Sequence, residues 1–200
     1  MKKIDLLAAF IIGEAVALIS LPILRFLELP ALIIKIAKYF PVILPLFSIF
    51  GIYIAWLISK KIGVIFQVAK CFLVGILNTL IDFGILNLLM GIFGIFAGWP
   101  YSIFKAISFS TSVINSYFWN KFWTFKKRET AVGSREFSRF YFIALGGLLI
   151  HVSVASLVVN IVGPQFGLSE KIWANIGALV AVFCGFTWNF LGYKFIVFKK

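Results

Sequence analysis

Apolar residues run through this chain in long blocks, not in the short alternations of half-buried strands or the narrow stripes of surface helices. A helix needs about 20 mainly apolar residues to cross a bilayer. Four blocks meet that length: Cys71–Ile92, Tyr101–Trp119, Phe140–Val162 and Ile172–Leu191. Two more lie upstream, Ile4–Leu24 and Tyr39–Ser59. Glu14 interrupts the first of these and Pro41 and Pro45 the second, so a kinked or re-entrant course stays open for both. Between them, Arg25–Lys38 is amphipathic and suited to lie along a membrane interface. The pattern predicts an all-α membrane protein. A helical bundle of four core transmembrane helices would occupy residues 66–200, and an N-terminal pair would occupy residues 1–65.

Composition sharpens this. Of the 200 residues, 62% are hydrophobic and 13% charged, and the mean hydropathy is +1.05, whereas a soluble domain averages about 45–50% apolar and about 25% charged. One small core cannot hide that excess, which excludes a soluble enzyme. The net charge of +12 would suggest nucleic acid in a soluble protein. Between apolar spans it points instead to basic loops beside anionic lipid, with no nucleic-acid partner. With six spans, fourteen of the nineteen Lys and Arg residues fall on one side, which puts both termini and the Lys126–Arg139 loop in the cytoplasm. The first twenty residues mimic a cleavable signal, but Glu14 breaks the apolar stretch, and a retained span is expected. Two cysteines and one histidine imply neither a disulfide framework nor a metal site, and no cofactor is expected.

An internal repeat organises the second part of the chain. Shifted by 69 residues, Lys70 meets Arg139, Asp82 meets His151, and Trp119-Asn120 meets Trp188-Asn189. After a four-residue insertion, Lys121–Lys127 meets Lys194–Lys200. The copies, residues 70–127 and 139–200, each hold an even number of helices, so they share an orientation, as parallel repeats do.

Candidate chemistry follows the repeat. Asp82 lies mid-helix, where a charge costs about 2.5–3.5 kcal/mol to insert, and His151 lies at the matching depth. Gly75, Asn78 and Asp82 share one helical face; Ala144, Gly147 and His151 share its counterpart. These side chains could hold helices together by hydrogen bonds, or line a substrate or proton path. Asn115, Asn120 and Asn189 sit beside Trp119, Trp123 and Trp188, either as interfacial anchors or as ligands for sugar hydroxyls. Lys70, Lys121, Arg139 and Lys194 mark the ends of the repeated helices, either as topology signals or as a phosphate site at a cavity mouth. The stripes Ser108/Ser112/Ser116 and Gly177/Ala181/Gly185 fit close helix packing, and small-residue faces of this kind are compatible with a homo-oligomer. No nucleophilic triad, phosphate loop or acidic pair is present, so an enzyme is not expected.

Phe72-Leu-Val-Gly-Ile-Leu-Asn-Thr-Leu-Ile-Asp-Phe83 resembles the opening helix of the GtrA-like family. Ser116-Tyr-Phe-Trp-Asn-Lys-Phe-Trp-Thr-Phe125 resembles that family's hallmark at the end of its second helix, and Phe190–Phe198 resembles the hallmark's second copy, with Tyr193 where Asn often stands. The resemblance covers Phe66 to Lys200. It implies a multi-pass protein of the bacterial inner membrane that flips a polyprenyl-phosphate-linked monosaccharide between leaflets for cell-surface polysaccharide synthesis, beside a membrane glycosyltransferase. By position it points to Asn120, Lys121, Trp123 and Phe125, and to Lys194 and Phe198. Two other classes compete: a small proton-coupled exporter of amphipathic cations using Glu14 or Asp82, and a non-transporting scaffold for the glycosyltransferase.

Overall fold

A computed structural model describes residues 1–124 and 135–192. Within them no strand occurs, and each of the six apolar blocks is a helix: α1 (Lys3–Phe26), α3 (Phe40–Ile58), α4 (Ile65–Phe93), α5 (Gly98–Trp119), α6 (Arg135–Ser156) and α7 (Glu170–Gly192). Helical hydrogen bonding is what hydrocarbon demands, because a lipid-facing backbone has no water to satisfy its amides. Lys3–Phe26, Phe40–Ile58, Ile65–Phe93 and Phe142–Val162 are long and apolar enough to cross a membrane. The chain is a multi-pass membrane protein.

The prolines settle as helical residues rather than re-entrant breaks. Pro41 enters α3 in its first turn, where no amide bond is lost, and Pro22 and Pro45 lie inside α1 and α3 without ending them. The stretch Arg25–Lys38, expected from sequence to lie along an interface, is not one helix. Its first residues extend α1, then Glu28 adopts φ 53° and Pro30 caps the short α2 (Ala31–Ala37). A left-handed residue followed by proline stops one helix and starts the next.

The described residues form two compact units. The first, Met1–Gly84 with Ile114–Arg128, holds α1 to α3, the first part of α4 and the end of α5. Its core joins Ala8, Ala9, Ile12 and Val16 of α1 to Ile52 of α3, Leu73, Val74 and Leu77 of α4, and Trp123. The second, Ile85–Val113 with Glu129–Lys200, is built on α6 packed against α7. There the small stripe of α7 faces α6: a Cβ on Gly177 would stand 2.5 Å from Val159, and one on Gly185 would run into the His151 ring.

α5 and α6 each end in a π-helical segment, Asn120–Thr124 and Leu157–Val162. Such wide turns are rare and are often found at functional sites. The first of them is the sequence Asn-Lys-Phe-Trp-Thr, the core of the hallmark quoted above.

Candidate functional site

In the first unit the chemistry gathers where α1 begins, α4 begins and α5 ends. Asp5 is the third residue of α1, and its Oδ2 accepts the Lys2 backbone N–H at 2.9 Å, capping the helix. Its Oδ1 accepts from the Lys70 ammonium in a buried ion pair and from the Trp123 indole N–H at 3.3 Å. Lys70 also lies over the Phe66 ring at 4.3 Å and the Trp123 ring at 5.1 Å. Lys70 and Asp5 are 2% and 1% exposed. Removing one partner of such a pair strands the other charge and costs about 3–5 kcal/mol.

Beside it runs an open apolar groove of about 290 Å³. Ile4 and Ala8 of α1 form one wall; Phe118, Trp119, Phe122 and Trp123 form the other. Trp119 and Trp123 meet edge to face with centroids 5.8 Å apart. Lys121 donates to the Tyr117 hydroxyl at 3.0 Å, and Asn120 donates to Ser116 at 3.1 Å while accepting from the Cys71 thiol.

Further along α4, the Asn115 side-chain amide donates to Asn78 Oδ1 at 2.6 Å, joining α5 to α4. Asp82, one turn beyond Asn78, is 2% exposed. Gly75, on the same predicted face, is exposed, with nothing within 4 Å of where a Cβ would stand. The first unit thus brings together Lys70, Asn78, Asp82, Asn115, Asn120, Lys121 and Trp123.

His151 and Arg139 belong to the second unit. His151 is 5% exposed, its ring 4.1 Å from that of Phe109, and its Nδ1 has no hydrogen-bond partner among the described residues. Arg139 is exposed on α6. The side chain of Asn189 and all of Lys194 lie outside the described residues, as does Phe198. Polar links among the described residues of this unit include Asn87 with Asn175 at 2.7 Å in both directions, Tyr101 donating to the Ala174 carbonyl at 2.8 Å, and the Gly98 amide donating to Asn160 Oδ1 at 2.6 Å. Trp188 donates to the Ile143 carbonyl at 3.0 Å, while its repeat partner Trp119 packs on Trp123, so the two tryptophans do different work.

Asp5 is the residue that sequence reasoning left out of the site. Its signal was present: an acid three residues after Lys2, at the helix start where a side chain reaches back to cap, in a span with few other charges. What the sequence does not carry is the distance to Lys70, which is 65 residues away along the chain.

Residues 70–198 match the family model described as GtrA/DPMS, transmembrane domain. The chain is also 34% identical over 112 residues to "Uncharacterized membrane protein YngA" of Bacillus subtilis (strain 168), covering 56% of this chain and 70% of that one. No solved structure matches it. The matched segment spans α4 to α7 and includes the π-helical Asn120–Thr124 with its lysine and tryptophan: the chain belongs to the GtrA/DPMS transmembrane-domain family.

Proposed function

We propose that this protein moves a polyprenyl-phosphate-linked monosaccharide from one leaflet of the bacterial inner membrane to the other, for cell-surface polysaccharide glycosylation. The observation that carries the reading is the order of chemistry in the first unit. Cations and indoles stand at the ends of α4 and α5, an apolar groove lies beside them, and a polar pair and a buried acid follow at depth.

Each part suits one part of the lipid. The phosphate takes charge-assisted bonds from Lys70 or Lys121. The isoprenoid chain lies along Ile4, Ala8 and the aromatic wall. The sugar follows the amides of Asn78 and Asn115 toward Asp82. Polar side chains inside a membrane are costly and cluster on substrate paths. In this reading the chain carries the lipid without transforming it, and membrane glycosyltransferases load it on one side and unload it on the other.

The test is leaflet accessibility of a polyprenyl-phosphate glucose in proteoliposomes. Crossing faster than in protein-free vesicles, lost in Asp82→Asn and slowed in Lys121→Ala, is the expected result. Crossing at the protein-free rate, with the lipid still bound, would sink translocation and leave a scaffold.

A further inference from the structure

We propose that the Asp5 carboxylate is the resident occupant of an anion site, and that an entering phosphate group displaces it. The proposal rests on the lipid-linked-sugar reading only for the source of the phosphate. Three donors of different origin converge on Asp5: the Lys70 ammonium, the Trp123 indole N–H and the Lys2 backbone amide. An ammonium, a ring N–H and an amide at a helix start are the donors that phosphate oxygens take. Here a carboxylate from the protein's own chain holds all of them.

The two halves of the site come from different parts of the sequence. Lys70 and Trp123 lie inside the family-matched segment, residues 70–198, and Asp5 lies outside it. The family portion therefore supplies the side-chain donors and the N-terminal extension supplies the anion.

Burial makes the two anions exclusive. With Lys70 and Asp5 at 2% and 1% exposure, a phosphate reaches Lys70 only after Asp5 has left it. The part that must move is the first turn of α1, where terminal backbone bonds open most readily. That turn carries Ile4 and the next carries Ala8, the α1 wall of the apolar groove. A phosphate with an apolar chain therefore presses on the same turn twice, through its charge and through its chain. Loading thus loosens the turn of α1 that closes the substrate-free site.

The full-length protein in detergent tests this with farnesyl phosphate, farnesol and inorganic phosphate as probes. Binding and thermal unfolding are measured for wild type, Asp5→Asn, Lys70→Gln and the double variant. Asp5→Asn should unfold at a lower temperature than wild type and recover with farnesyl phosphate, which it should bind roughly tenfold more tightly or better. Lys70→Gln and the double variant should show no such gain, and farnesol should bind all four alike. Recovery with inorganic phosphate too assigns the site to the phosphate group alone; recovery with farnesyl phosphate only assigns it to a lipid headgroup with its chain.

Equal farnesyl phosphate affinity in wild type and Asp5→Asn overturns the proposal, as does a gain that survives Lys70→Gln. Should Asp5→Asn not fold, the charge swap Asp5→Lys with Lys70→Asp keeps the pair and supplies the test. It should bind farnesyl phosphate no better than farnesol, and wild-type binding would overturn the exchange. A gain in Asp5→Asn with no leaflet crossing leaves the anion site standing and removes translocation. Unchanged binding with crossing intact does the reverse.

Discussion

Asn78 and Asn115 pose the question of structure against function most sharply, because each explanation predicts a different size of effect. Their amide pair at 2.6 Å joins α4 to α5. Hydrogen bonds between membrane helices contribute on average about 0.6 kcal/mol and at most about 1.7 kcal/mol in double-mutant cycles. A purely structural pair should therefore cost about 1 kcal/mol in either alanine variant, and the double variant should cost no more than the single ones combined. We expect that small stability change for Asn78→Ala and Asn115→Ala in unfolding titrations. We also expect a fall in leaflet crossing of more than about tenfold, beyond what a loss of that size explains. If crossing falls only in step with the folded fraction, the amides are helix glue. Both residues were legible in sequence, since an asparagine in an apolar span is conspicuous. Their pairing was not, because a helical face names a direction and not the partner it meets. Lys70 shows the same gap: charge and position suggested a phosphate ligand, while its buried carboxylate partner comes from a helix outside the repeat.

Apolar length located the elements well, because the bilayer leaves a long hydrophobic run little choice but a helix. Details at the helix ends and contacts depend on single residues that length does not report. α1 and α3 meet at a notch: a Cβ on Gly13 would stand 2.6 Å from the Pro45 Cα and 2.9 Å from the Leu44 carbonyl oxygen. Those are backbone atoms and cannot swing away. Proline gives α3 no amide hydrogen at that position, and glycine gives α1 no side chain, so the two backbones come close. Gly13→Ala should force α1 and α3 apart and destabilise the protein by about 1–3 kcal/mol, as overpacking does. Gly51→Ala, at a helical glycine with nothing within 4 Å of its missing Cβ, should be neutral or slightly stabilising. Thermal unfolding of the two variants in one detergent decides it; equal melting temperatures would remove the notch as a fixed contact. The sequence shows Gly13 and Pro45 only as potential helix weakeners, and the fold turns both into a packing surface.

At the scale of the whole molecule, the reading stands or falls on which side of the membrane the basic helix ends face. With all six apolar helices spanning, fourteen of the nineteen basic residues in the sequence would fall on one side, among them Lys2, Lys3, Lys60, Lys61, Lys70 and Lys121. The positive-inside rule retains such ends in the cytoplasm. The start of α1, the end of α3, the start of α4 and the π-helical Asn120–Thr124 would then all be cytoplasmic. A fluorescent protein fused to the C-terminus should therefore light up, and alkaline phosphatase fused there should stay inactive. Single cysteines placed at Ile95 and at Phe166, both in exposed turns between helices, should react with a membrane-impermeant maleimide added from outside, in a background lacking Cys71 and Cys184. The outcome reaches beyond topology. A phosphate made on the cytoplasmic side can load Lys70 and Lys121 directly only if those residues face that side. The reverse labelling would place the groove, the Asp5 pair and the lysines in the receiving leaflet. They would then act in release rather than loading, and the proposed direction of transport would have to be inverted.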